Sequence, residues 1–195
     1  LNPSSAASDV YKRQDNTFTA ASGAVTFTGA GFLRCDNTVT DLGTLSTGAG
    51  TVQYDGGVQN VLADDYYNLI IDQSGNKTAQ GAVNVANDMT ISNSATYLTA
   101  NYTTTVTGAT SVGAILEVNS SSGIFHAGGG FSASGNINFS ANGILRFITV
   151  SPTSLGTLDN TEGRVIYKNG ATNVLADDYH NCLLYTSDAA DDGLS

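Results

Sequence analysis

Two pairs of adjacent aspartates offer the clearest acid–base or metal-binding chemistry in this sequence. Asp64-Asp65 and Asp177-Asp178 each follow the residues NVLA and precede a tyrosine. Paired carboxylates could hold Ca²⁺ or do acid–base work on a glycan. A calcium site usually needs more oxygen ligands in a defined rhythm, and the nonapeptide pattern G-G-x-G-x-D is missing. We therefore favour a scaffold role, in which ADDY forms a polar corner and the Asp side chains cap local backbone N–H groups.

Two histidines, two arginines and a glycine run are the next candidates. His126 and His180 are isolated, so we interpret both as ordinary surface or edge residues. Gly128-Gly129-Gly130 has no following helix and no Lys in P-loop spacing, so a flexible corner is expected and not a phosphate cradle. Arg34 and Arg146 each follow an apolar pair. Either could contact a ligand, but we favour a stem packed along the surface with its head group in water.

The remaining candidates are a cysteine and two threonine-rich segments. Cys35 has no His placed near it, so a small half-buried residue without a disulfide is predicted. Threonines alternate in Thr103-Thr104-Thr105-Val106-Thr107 and in Thr17-Phe18-Thr19. Rows of Thr on a flat sheet could bind ice or a crystalline polysaccharide, but Thr is also a favoured exposed strand residue. The sequence therefore predicts no catalytic, cofactor-binding or metal-binding residue.

The two ends of the chain carry residues that we interpret as foreign to the protein. Residues 4–14 read SSAASDVYKRQ, and residues 182–191 read CLLYTSDAAD. One DNA tag, translated forward at one end and as its reverse complement at the other, encodes both segments. The tag resembles the transposon adapter used in fragment-library sequencing, and such ends are excluded from fold reasoning. We therefore divide the chain into a tail at 1–14, a repeat region at 15–181 and a tail at 182–195.

Charge and composition narrow the classes of partner. The full chain has a formal net charge of −10, and about −8 remains without the tails, from five basic and thirteen acidic residues. So little cationic surface argues against nucleic acid and against docking on anionic lipid. No apolar run is long enough to span a bilayer. Gly, Ser, Thr, Asn and Ala dominate, while helix formers are scarce and β-branched residues are plentiful, which favours strands.

A long internal repeat organises residues 15–181. Residues 42–68 and 155–181 match without a gap at 16 of 27 positions. Upstream, residues 22–34 also align with residues 134–146 without a gap. The region thus contains one unit of about 112 residues and roughly half of the next, which is typical of arrays and solenoids.

Short strand signals recur inside the unit, mostly 20 to 30 residues apart. Apolar residues flank a more variable one, as in Val52-Gln53-Tyr54 and its counterpart Val165-Ile166-Tyr167, so one face should be buried. The spacing suits one coil of a β-solenoid, with four or five coils per unit. We predict an all-β fold, a right-handed parallel β-solenoid. Tandem β-sandwiches are the alternative, because a 112-residue period also suits one immunoglobulin-like domain.

Two segments carry a resemblance to a known class of protein. Residues 50–71 have the pattern G-x-V-x-Y-x-G-x-x-Q-N-V-L-x-x-x-Y-Y-N-L-x-I, and residues 75–92 continue as GNKTAQGAVNVANDMTIS. Both resemble segments of large secreted bacterial repeat proteins of the adhesin type. The resemblance implies secretion, surface display, long arrays and a binding role, and it brings no catalytic residues.

These observations lead to one expected function and two alternatives. We expect a non-catalytic structural or adhesive segment of a secreted bacterial protein, extracellular or at the cell surface. Its expected partners are a surface glycan or protein of unknown identity and neighbouring repeats of the same chain, with no cofactor, nucleic acid or membrane insertion. The first alternative is a fragment of a β-helix polysaccharide lyase or hydrolase, which needs convergent Asp, Lys or Arg on adjacent coils. The second is an ice- or crystal-binding face.

Overall fold

The regular structure of the protein consists of parallel β-strands. The computed structural model describes residues 11–14, 17–20, 23–46, 48–159, 161–168 and 173–185. Every strand pair in these ranges is parallel. No helix within them could cross a membrane. The predicted parallel β-solenoid is confirmed, whereas tandem sandwiches would require antiparallel sheets.

The strands are short, as expected for coils that turn a corner every few residues. In chain order they are β1 (Tyr11–Gln14), β2 (Phe18–Thr19), β3 (Ala24–Val25), β4 (Phe32–Cys35), β5 (Val39–Asp41), β6 (Thr44–Leu45), β7 (Thr51–Tyr54), β8 (Gln59–Val61), β9 (Asp65–Tyr66), β10 (Asn68–Ile71), β11 (Gly75–Ala79), β12 (Val83–Val85), β13 (Met89–Ile91), β14 (Ala95–Leu98), β15 (Thr103–Val106), β16 (Thr110–Val112), β17 (Ile115–Val118), β18 (Ile124–Ala127), β19 (Phe131–Phe139), β20 (Ile144–Ile148), β21 (Ser154–Leu158), β22 (Arg164–Lys168) and β23 (Cys182–Tyr185).

Successive strands stack in three lines along the molecule, which we call face 1, face 2 and face 3. Face 1 contains β1, β4, β7, β10, β13, β16 and the start of β19. Face 2 contains β8, β11, β14, β17 and the end of β19. Face 3 contains β9, β12, β15, β18, β20, β22 and β23. β21 pairs along β19, and β2 with β5 and β3 with β6 form two small sheets near the N-terminus.

Alternation along each strand places one row of side chains inside the coil. In β7, Val52 and Tyr54 are buried and Gln53 between them is half-exposed, as predicted. Parallel register stacks Val52 between Leu33 of the preceding coil and Leu69 of the next, and all three are buried. Each such inward side chain stabilises the fold by roughly 1.5–3 kcal/mol. The continuous inner ladders therefore supply the core.

The coils are shorter than we predicted. Thr51 pairs with Asn68, 17 residues later, and Ser132 pairs with Ser154, 22 residues later. Five coil steps along face 1 lead from Phe32 of β4 to Phe131 of β19, and this length of chain is shorter than one repeat of about 112 residues. One repeat therefore holds more than five coils, whereas we expected four or five. The sequence signals marked only some strands of each coil, because many corner strands have two or three residues and lack a clear alternation.

The sequence repeat does not contain a whole number of coils. Leu33 lies in β4 on face 1, whereas its repeat counterpart Leu145 lies in β20 on face 3. In the same way, Val52 lies in β7 on face 1 and its counterpart Val165 lies in β22 on face 3. Successive copies of one motif are therefore presented on different faces of the solenoid.

Strands also occur inside the two predicted tails. β1 pairs with β4 at one end, and β23 pairs with β22 at the other. All four residues of β23 are exposed. The pairing uses main-chain groups, which any sequence provides and which an uncapped solenoid end presents. The division of the chain after residues 14 and 181 therefore stays a prediction.

Candidate functional site

A hydrogen-bonded pair of tyrosines lies at the corner formed by NVLADDY. The Leu62 N–H donates to Tyr54 Oη at 3.2 Å, and Tyr66 Oη donates to the Leu62 carbonyl at 2.8 Å. The two phenol oxygens are 3.0 Å apart, so the remaining hydrogen, on Tyr54, lies between them. Both rings are fully buried and meet edge to face. The corner thus pairs the polar groups that it buries, as a stable interior requires.

The second copy of the motif builds the same corner, although it lies near a different face. The phenol oxygens of Tyr167 and Tyr179 are 2.9 Å apart, and Tyr179 donates to the Leu175 carbonyl at 2.8 Å. The ring centroids are 6.5 Å apart, against 6.4 Å for the first pair. The sequence placed these tyrosines in the repeat but did not reveal that their hydroxyl groups meet. Because these hydrogen bonds join residues of one coil and recur in both copies, the motif fixes the path of the chain at this corner.

The paired aspartates cap the same corner. Asp64 Oδ1 accepts a hydrogen bond from the N–H of Asp65 at 2.8 Å, and Asp177 does the same for Asp178. Asn84 Nδ2 on the next coil donates to Asp65 Oδ1 at 2.7 Å. Burial raises the pKa of the Asp64 carboxyl. Within the described ranges no three His, Cys, Asp or Glu side chains are grouped to hold a metal. The observed contacts are those of the scaffold interpretation.

Arg34 is neutralised by carboxylates from two coils. Its Nε lies 2.8 Å from Asp36 Oδ1 on the same coil and also contacts Asp55 Oδ2 on the next coil. The Asp55 side chain is 1% exposed and the Arg34 side chain 27%, so the carboxylate of this ion pair is shielded from water. The head group of Arg34 is therefore ion-paired, whereas we predicted that it would lie in water. The sequence did not reveal the pair, because only the coil register brings Asp55 next to Arg34.

Arg146, the repeat counterpart of Arg34, forms no ion pair with any carboxylate of the described residues. Its Nη1 lies 3.1 Å from His126 Nε2 on the preceding coil, and its Nε has no hydrogen-bond partner. Since a guanidinium can only donate, His126 Nε2 accepts and the imidazole is neutral. Burial, followed by the charges of Arg146 and Lys168, lowers the pKa of His126. His126 is thus half of a dyad and not the isolated residue we predicted.

Lys77 is a buried cation that the sequence analysis did not single out. The side chain is fully buried, and Nζ donates to the carbonyls of Gln73 at 2.6 Å and Ser74 at 3.2 Å. Burial lowers the pKa of Lys77 to about 8. Gln73 has a positive φ of 59° and lies in a tight turn between β10 and β11. The ammonium closes this turn by donating to its carbonyls. We assign Lys77 to the scaffold, because its three donors are directed into the turn.

The glycine run forms a tightly packed corner between face 3 and face 1. The Gly128 N–H donates to the Val106 carbonyl at 2.7 Å. A side chain at Gly129 would collide with the backbone of Gly108 on the preceding coil. Glycine therefore permits the close stacking of two coils here. The corner was predicted, but its cause is this close approach and not the flexibility that we expected.

Cys35 is unsuited to a nucleophilic role, and His180 is a surface residue. Cys35 is fully buried, more than the half-burial we predicted. Burial, together with the nearby charge of Asp36, raises the pKa of its thiol to about 12, so the reactive thiolate is not formed at neutral pH. His180 is exposed, as predicted for a surface residue.

The threonines of β15 do not form a row across the coils. Thr104 is buried, and its hydroxyl lies 2.7 Å from Tyr97 Oη. Thr105 points outward, and its register neighbours are Asn84 and His126. In the other segment, Thr17 and Thr19 are exposed. These threonines therefore occupy ordinary strand positions, which is the interpretation that the sequence favoured over a ligand-binding row.

A row of hydroxyl side chains instead runs along face 1. Thr90, Ser111, Ser132 and Ser154 occupy one register position in four successive coils. Three of these residues line a shallow groove, together with Phe131. The sequence did not reveal the row, because its members are about one coil apart and are mixed Ser and Thr.

Comparison with known proteins gives no relative. No protein-family model matches the chain, and no curated protein and no solved structure matches it either.

Proposed function

We propose that residues 15–181 are a non-catalytic structural or adhesive segment of a secreted bacterial cell-surface repeat protein. The observation that carries this proposal is the recurrence of the tyrosine corner in both copies of the repeat. The most strongly repeated residues of the chain thus fix the shape of a single coil. Repetition of a buried scaffold element suits a stalk that is extended by adding coils.

The outward positions of the two copies support a binding role for the lateral surface. Inward Val52 and Tyr54 are kept as Val165 and Tyr167 in the second copy. The residue between them changes from the half-exposed Gln53 to the buried Ile166. At an outer position, the exposed Thr26 becomes the half-exposed Asn138. A fixed interior with variable outer positions is expected where successive coils present different surfaces to ligands. Because the repeat is out of phase with the coils, these surfaces also point in different directions.

The proposal is tested by comparing polysaccharide binding with polysaccharide degradation. The purified chain is attached to beads, incubated with plant and bacterial polysaccharides, and scored for retention; the free polymer is then sized by gel filtration. We expect retention without a change in polymer length. The double variant Asp64→Asn/Asp65→Asn should retain polymer equally well, and calcium titration should give little heat at micromolar concentration.

Shortening of the polymer that is lost in the Asn variant would establish the enzyme alternative and contradict this proposal. A tight calcium isotherm that is lost in the same variant would show that these carboxylates are a metal site. Tyr54→Ala serves as the control for a collapsed fold, since it removes the corner without changing surface charge.

A further inference from the structure

The basic residues of this acidic chain are concentrated on one part of face 3. Arg146 lies in β20, and Arg164 and Lys168 lie in β22. His126 lies on the neighbouring strand β18. The four stacked strands β15, β18, β20 and β22 contain no acidic residue. This concentration is notable in a chain whose formal net charge is −10.

The repeat shows how this patch differs from its counterpart. In the first copy the three matching positions carry Arg34, Asp36 and Asp55. In the second copy they carry Arg146, Ile148 and Lys168. The register is preserved, because Arg34 pairs with Gln53 as Arg146 pairs with Ile166, and Ile148 pairs with Lys168. The local charge therefore changes from −1 to +2, and both carboxylates that neutralise the first arginine are lost.

We propose that Arg146, Lys168 and His126 form a binding site for the oxyanion groups of an acidic polysaccharide. A guanidinium without a carboxylate partner retains donors for a planar carboxylate or a sulfate. The Arg146 side chain is held by its contact with His126, 3.1 Å away, so its orientation is set before a ligand arrives. Lys168 adds a second cation on the adjacent strand.

The polymeric nature of the ligand rests on the proposed adhesive function and on the geometry of the face. Register positions on face 3 are spaced by about 4.8 Å from coil to coil. Thr105, His126 and Arg146 occupy one such row on successive coils. A chain of sugars can follow this row, with its hydroxyls beside Thr105 and an acidic group beside Arg146.

The experiment measures binding of the full chain to polygalacturonate, dextran sulfate and neutral dextran by biolayer interferometry, with free acetate and sulfate as competitors. We expect binding to at least one acidic polymer, none to dextran, and only weak competition by the free ions. Arg146→Gln should weaken binding at least tenfold. The double variant Ile148→Asp/Lys168→Asp, which recreates the first-copy pairing, should do the same while keeping the Tm. Arg164→Gln is the matched control, since Arg164 lies on the same strand as Lys168 but pairs with Ile144, at the opposite end of β20 from Ile148, and should change affinity less than twofold.

Each other outcome overturns the inference in a distinguishable way. Acidic-polymer binding that all three variants leave unchanged would place the site elsewhere and leave the adhesive function standing. Equal losses in all three variants would reduce the effect to general electrostatics. Competition by free acetate or sulfate at the same concentration of acidic groups would exclude a polymer-specific site. Binding of neutral glycans alone in the bead assay would support adhesion but contradict an oxyanion site.

Discussion

The hydroxyl group of Tyr54 closes a ring of hydrogen bonds within the core. It accepts from the Leu62 N–H and lies 3.0 Å from Tyr66 Oη, which in turn donates to the Leu62 carbonyl. The strength of this corner depends on the low dielectric of a fully buried site, where an unpaired polar group is costly. The alternation of apolar and variable residues predicted that Tyr54 points inward. It could not predict the partner, because the hydroxyl group is not part of that pattern.

The first prediction separates the phenol hydroxyl from the ring. Tyr54→Phe leaves the Leu62 N–H without an acceptor and should lower the free energy of unfolding by about 1–3 kcal/mol. Tyr54→Ala also creates a cavity and should cost about 3–5 kcal/mol. Gln53→Ala removes one half-exposed hydrogen bond, to Asp72 at 2.8 Å, and should cost about 0.5–1.5 kcal/mol. Chemical denaturation measures all three. A Tyr54→Phe variant as stable as the parent chain would contradict the ring of hydrogen bonds.

Lys77 gives the second prediction, because burial lowers its pKa to about 8, from the usual value of 10.5 for a lysine in water. Between these two pH values the unfolded chain binds a proton that the folded chain has released, so the free energy of unfolding rises with pH. The rise from pH 8 to pH 10 should be about 2 kcal/mol. Raised pKa values of buried tyrosines act in the opposite direction above about pH 10, so the test compares the parent chain with Lys77→Met.

The measurement is urea denaturation at several pH values from 7 to 10. The difference in unfolding free energy between the parent chain and Lys77→Met should change in favour of the parent chain as the pH rises. Lys168→Met is the control, because that lysine is exposed and its substitution should leave the pH dependence unaltered. Parallel pH profiles for the parent chain and Lys77→Met would contradict a buried ammonium in the turn.

At the scale of the strands, the sequence predicted the type of element better than its spacing. Val52-x-Tyr54 and Val165-x-Tyr167 were correctly assigned to strands with one buried face. Two-residue strands such as β6 and β9 have too few residues for an alternating pattern. The sequence signals therefore predicted longer coils than the structure has. The ion pair of Arg34 with Asp55 depends on register between coils, which a linear pattern does not contain. The motif NVLADDY was recognised as a scaffold corner because both copies preserve it.

Across the whole molecule, the sequence repeat and the coil have different lengths, and this mismatch bears on the proposed function. Matching residues of successive copies lie on different faces, as Leu33 and Leu145 do. Each repeat therefore turns its variable positions toward a new direction while lengthening the solenoid. With about 4.8 Å per coil, one repeat adds roughly 25–30 Å. The contact of Arg146 with His126 depends on this in-register stacking of coils.

Distances between spin labels along face 1 test the stacking most directly. In a Cys182→Ser background, where Cys35 is buried, nitroxides are attached to Gln53→Cys/Ser132→Cys and to Gln53→Cys/Ser154→Cys. These outward positions are four and five coils apart on one register row. Pulsed electron spin resonance should give distances of about 19 Å and 24 Å, one coil step apart. Two equal distances, or distances well above about 24 Å, would contradict the parallel solenoid and everything that depends on it.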